Sequence, residues 1–152
     1  MGTDIVQSLL DYAKTKAPPH YRFELHRALS LPVADSSCDF VSAFSVFTHL
    51  LHEETYLYLE DAHRALRSGG LVVFSFLEFS NPNHWVVFEG TVEGQRTQTR
   101  PHLNTIIERG AIDAWASHLG FVREAFISGT EAPWGSHPIW QSVAILRKPN
   151  DP

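Results

Sequence analysis

Cysteine is nearly absent from this chain. Cys38 stands alone among 152 residues, which excludes an internal disulfide framework and any cysteine metal site. Basic clusters are missing too, and the formal net charge is -5 with nine histidines counted as neutral. That balance excludes a partner held through a nucleic-acid backbone. No apolar run approaches the length of a membrane span, and the N-terminus carries no signal-peptide core. A cytoplasmic protein without membrane contact is the default expectation. Charged residues are scarce at 19%, against 43% hydrophobic, which excludes a disordered chain and leaves one domain with a real core. Repeats and low-complexity tracts are absent. His52, His63 and His84 lack the spacing of a metal site, so none is expected.

What is present alternates between helix and strand signals. Residues 6–16 place Val6, Leu9, Leu10 and Ala13 at helical spacing, and Pro18 with Pro19 stops the pattern. Asp4 precedes that helix, as an N-cap or as an acid facing a ligand. YRFEL, 21–25, reads as a short strand. The apolar run from Phe40 to Phe47 reads as a strand covered on both faces, as in a parallel sheet under helices. Residues 52–70 give the clearest helix, with Tyr56, Leu59, His63 and Leu66 on one stripe and Gly69-Gly70 as its stop. Strands at 71–79, 121–128 and 141–147 and a helix at 108–120 complete the set. Residues 81–104 read as polar and irregular, with Pro82 and Pro101 as breakers. The sum is an α/β layered domain.

Three pieces carry more than fold class. LPVADSSCDFVSAF (31–44), a helix ending HRALRSGG (63–70) and the strand LVVFSF (71–76) follow in fixed order. Together they resemble the middle of class I S-adenosylmethionine-dependent methyltransferases. In that family a segment of the form LPFPDxSFDVV leads into the fourth strand, a helix ends near hRvLKPGG, and the fifth strand follows. Ser68 stands here for the usual proline and Arg67 for the usual lysine. FVREAFI and QSVAILRK suit the family's closing antiparallel pair.

The resemblance implies site residues. Asp4 matches the acid that accepts both ribose hydroxyls, and Ile5 the apolar residue against the adenine. Ser45, Val46 and Phe47 match the cofactor-facing end of the fourth strand, with Thr48 and His49 toward the methyl acceptor. His49 is a candidate base beside a plain structural role. Glu78, a carboxylate in an apolar strand, is a second candidate, because a buried acid needs a partner. The family's first strand and GxGxG loop have no counterpart ahead of Gly2, and His26 to Ser30 offers no carboxylate for the adenine. The expectation is a Rossmann-like sheet flanked by helices, without its N-terminal part. S-adenosylmethionine would then be held weakly or lost, and the acceptor is an unidentified small molecule or side chain. The alternative is a non-catalytic interaction protein on the same scaffold, or a fragment of a larger enzyme. An unpaired 40–47 edge would also favour a homodimer.

Overall fold

The computed structural model describes residues 1–99 and 102–150. In chain order it contains β1 (Gly2–Asp4), α1 (Gln7–Lys16), β2 (Phe23–Leu25), β3 (Cys38–Ala43) and α2 (His52–Ala65). Then follow β4 (Leu66–Phe76), α3 (Pro82–Arg96), α4 (Arg109–Leu119), β5 (Val122–Ile127) and β6 (Ser142–Arg147). The strands form two sheets, a parallel β1-β2 pair and a four-stranded sheet in the order β3-β4-β6-β5. β3 runs parallel to β4, whereas β6 is antiparallel to both of its neighbours. No helix among the described residues is long and apolar enough to cross a membrane.

β4 organises the core. It is paired on both sides, and Val72 to Phe76 are five consecutive buried residues, the pattern of a strand covered on both faces. Leu59 and Ala62 of α2, Ile112 and Ala116 of α4, and Ala144 and Leu146 of β6 pack with Phe74 and Phe76 in one cluster. α2 starts with Glu54 accepting from the Leu51 amide at 2.7 Å, which satisfies one of the helix's free N–H groups. Leu59 and Leu66 are fully buried as expected, but Tyr56 is only half-buried.

Arg64 explains the helix-end motif physically. Its guanidinium binds both Asp61 oxygens, at 2.7 and 2.9 Å, and the Leu31 and Val33 carbonyls at 3.1 and 2.9 Å. Asp61 also accepts from the Leu31 amide at 2.6 Å. One arginine therefore staples the Leu31–Val33 loop onto α2, and its hydrogen bonds hold the Asp61 carboxyl below its ordinary range.

Four expectations are corrected. Residues 82–96 form a helix, not an irregular segment. Pro82 occupies its first turn, where a missing N–H costs nothing, and the Asn81 side chain accepts from the Asn83 amide. Gly90 and Gly94 had weakened the helical pattern. β3 ends at Ala43, and its outer face is open, with Phe40 56% and Phe44 48% exposed; coverage on both faces belongs to β4. Gly69-Gly70 does not stop α2, which ends at Ala65. Instead Gly69, with φ of 79°, sits in β4 where the register against β3 shifts. Finally, Asp4 is not the N-cap of α1: it ends a strand paired with β2, and Val6 takes the cap position.

Candidate functional site

A cavity of about 370 Å³ lies between the two sheets. Thr3, Asp4 and Ile5 line one side, and Val41, Ser42 and Ala43 line the other. Alternate strand residues point to opposite faces of a sheet. Three consecutive lining residues therefore place the cavity against the edge of β3 and not over a face. β3 gives its other edge to β4, and β1 gives its other edge to β2. The cavity is thus a gap bounded by two unpaired strand edges.

All five residues expected to hold a cofactor line this one cavity: Asp4 at the end of β1, Ile5 just after it, and Ser45, Val46 and Phe47 beyond β3. Two stretches some forty residues apart in sequence are brought together because both strands end on the same side. Asp4 Oδ1 accepts from the Val6 amide at 2.8 Å, so the acid shapes the entry into α1. Its Oδ2 has no protein partner among the described residues. Phe47 is buried against Phe74, with ring centroids 5.0 Å apart, while Val46 is exposed.

His49 also lines the cavity. Its Nδ1 lies 2.8 Å from the Leu103 carbonyl, an acceptor only, so Nδ1 carries a proton and the lone pair of the neutral ring is on Nε2. Thr48, expected toward the acceptor, is instead buried away from the cavity. Tyr58 closes the wall from α2 and donates to the Ala28 carbonyl at 3.2 Å. Burial and the nearby Glu54 carboxylate push its hydroxyl above the ordinary value, so it remains a donor. His26 lines the floor beside Leu31, and Arg27 does not reach it.

Two partners of the lining residue Ser45 were not legible in advance. The Ser45 amide donates to Ser75 Oγ at 2.8 Å, Ser75 Oγ donates to Gln141 Oε1 at 2.5 Å, and Gln141 Nε2 returns to Ser45 Oγ at 3.1 Å. Ser75, a hydroxyl inside the apolar run of β4, was a signal. Gln141 had none, being 96 residues from Ser45.

Glu78 lies elsewhere. It is buried and does not line the cavity. Arg109 binds both its oxygens at 2.7 and 2.8 Å, Ser80 donates at 2.8 Å and Ser142 at 2.5 Å. Burial alone would raise its pKa; the guanidinium and the two hydroxyls outweigh that and hold it below the ordinary range. No group of three potential metal ligands occurs among the described residues.

Comparison with known proteins agrees with this fold. Residues 1–74 match the family model described as a methyltransferase domain. A structure of a SAM-dependent methyltransferase from Methanosarcina mazei aligns with a TM-score of 0.71 and 17% identity, covering 99% of this chain and 82% of that one. The chain has a class I S-adenosylmethionine-dependent methyltransferase fold. Magnesium protoporphyrin IX methyltransferase from Synechocystis, solved with bound SAH, shares this methyltransferase fold with a TM-score of 0.69 and 15% identity. It is covered to 62%, against 97% of this chain. A SAM-dependent methyltransferase from Thermotoga maritima gives a TM-score of 0.70 at 14% identity, over 97% of this chain and 72% of that one. The chain therefore spans less than two thirds of one of these proteins. No curated protein matches. In this methyltransferase fold β1 through β6 form the sheet elements, and the unpaired edges of β1 and β3 leave the gap between them.

Proposed function

We propose that the chain binds S-adenosylmethionine in the cavity between β1 and β3 and transfers its methyl group to an acceptor not yet identified. The observation that carries this reading is the convergence of Asp4, Ile5, Ser45, Val46 and Phe47 on one cavity. Its volume falls within the range of small-molecule sites. The donor set fits the group. A carboxylate with an unpartnered oxygen, Asp4, suits a pair of ribose hydroxyls, and the exposed side chain of Ile5 gives an apolar surface for a flat base. The bound cofactor supplies an electrophilic methyl on a sulfonium sulfur. This chain's residues would orient the acceptor, exclude water and receive a proton, and His49, which lines the cavity and is held through its Nδ1, is the candidate to take it.

No glycine lines the cavity among the described residues, so no backbone loop comes as close to a ligand as glycine allows, and affinity should be modest, with a Kd of about 0.1–1 mM. Calorimetry with S-adenosylmethionine and its demethylated product checks this. Asp4→Ala removes a charge-assisted acceptor and should weaken binding roughly 10–100-fold. No heat from the native protein at millimolar ligand would end the proposal in favour of a non-catalytic scaffold.

We also propose self-association through the β3 region. Phe40 and Phe44 are about half exposed on one face, and β3 has an unpaired edge. Two half-exposed phenylalanines offer roughly 200 Å², well under the ~800 Å² per partner of a stable interface. The dimer should therefore be weak, and pairing along the β3 edge would compete with ligand in the cavity. Light scattering over a dilution series is expected to show a shift from dimer to monomer, reduced by saturating cofactor. A single 17.1 kDa species at every concentration would contradict it.

A further inference from the structure

We propose that Gln141 is a positioning residue for the cavity, and that it acts by clamping Ser45 in a left-handed backbone conformation. The inference rests on the cofactor reading above and adds a residue to it. Ser45 has φ of 55°, a region that residues with a Cβ avoid at a cost. That conformation turns the chain off β3, so that Ser45, Val46 and Phe47 all face the cavity. Nothing in Ser45's own type favours it. Its stabilisation comes from the closed ring in which Ser75 Oγ receives the Ser45 amide and Gln141 bridges Ser75 to the Ser45 hydroxyl. Ser75 is buried and anchored on the central strand.

Gln141 is itself held from behind. The preceding residue, Trp140, also has a positive φ, 73°, and its carbonyl lies 2.8 Å from Nε2 of the fully buried His84. His84 Nδ1 accepts from the Glu78 amide at 3.0 Å, which leaves the proton on Nε2 to donate to Trp140. The strained carbonyl thus has a fixed partner, and the Gln141 amide is presented to Ser45 in one orientation. Because the ring uses the Ser45 hydroxyl only as an acceptor from Gln141, its own O–H proton remains to donate to a ligand.

The test compares Gln141→Ala in two backgrounds. In the native background, affinity for S-adenosylhomocysteine measured by calorimetry should fall about tenfold, the factor that corresponds to losing the left-handed preference of one residue. In a Ser45→Gly background, glycine adopts the same φ unaided, so Gln141→Ala should cost less than about threefold there. An equal loss in both backgrounds overturns the clamp, as does an unchanged affinity in the first. A second measurement is independent of ligand. Hydrogen exchange of the Ser45 amide should be slow in the native protein and at least tenfold faster in Gln141→Ala. A fast-exchanging Ser45 amide in the native protein overturns the clamp outright. A protected amide in a protein that binds no cofactor overturns the functional reading instead.

Discussion

Arg109→Ala is expected to destabilise the protein by about 3 kcal/mol at neutral pH, the low end for breaking a buried ion pair. The low end applies because Glu78 is 1% exposed in its side chain but Arg109 is 40% exposed. Removing the arginine leaves a carboxylate inside the protein with only Ser80 and Ser142 as donors, and burial then pushes its pKa up. For a protein of this size the loss corresponds to roughly 6–12 °C in Tm. The pH dependence has a defined sign. In the native protein the folded-state pKa of Glu78 is depressed. Its contribution is therefore fully present above the unfolded-state value of about 4.3, and is lost as pH falls through the lower folded-state value. In Arg109→Ala the shift reverses, so the variant should lose stability as pH rises through the raised folded-state value. Urea denaturation of both proteins between acid and neutral pH measures the difference. A gap that does not widen with pH would show that Arg109 is not the counter-charge. Glu78→Gln with Arg109→Ala should cost less than the sum of the two changes, since the pair acts as one unit.

Gly129→Ala is expected to be at least as damaging, at about 3 kcal/mol or more, the upper range of overpacking. A Cβ there would lie 1.9 Å from the Trp140 carbonyl oxygen and 2.6 Å from its carbon, both backbone atoms with no rotamer to escape. To admit the methyl group, Trp140 must move off His84. The Gly129 amide must also leave Ser142 Oγ, which it reaches at 3.1 Å and which in turn donates to Glu78. The substitution therefore strikes the Glu78 cluster and the Gln141 bridge together. Gly110→Ala and Gly135→Ala are the controls, because nothing lies within 4 Å of an added Cβ at either. Both should fall within about 0.5 kcal/mol of the native protein. Thermal unfolding of the three variants decides the matter. A Gly129→Ala protein as stable as the controls would mean that the 129–140 loop relocates freely.

Local chemistry made part of this fold legible. The stripe on α2, its acidic start, and the apolar run of β4 are short-range patterns, and the structure contains both elements. The order of the Leu31–Ala43, His63–Gly70 and Leu71–Phe76 segments pointed to the methyltransferase fold, and Arg64 shows why such a motif has physical content: one side chain ties the loop to the helix. Helix α3 was hidden because Pro82 is both a breaker and a good first residue. Only the capping geometry of Asn81 distinguishes the two.

The resemblance pointed to Asp4, Ile5, Ser45, Val46 and Phe47; by itself the sequence determined the α/β class, the α2–β4 unit and the closing β5–β6 pair. These follow from periodicity, turn chemistry and motif order, all of which act over a few residues. Tertiary structure alone decided that the free edge of β3 faces β1 across the cavity, that β4 and not β3 is covered on both faces, and that Glu78 is tied to Arg109 away from the cavity. It alone also brought Gln141 to Ser45, across 96 residues. Such pairings depend on sheet order and on which buried polar groups find partners, and no local pattern of apolar and polar residues encodes a contact between two distant side chains.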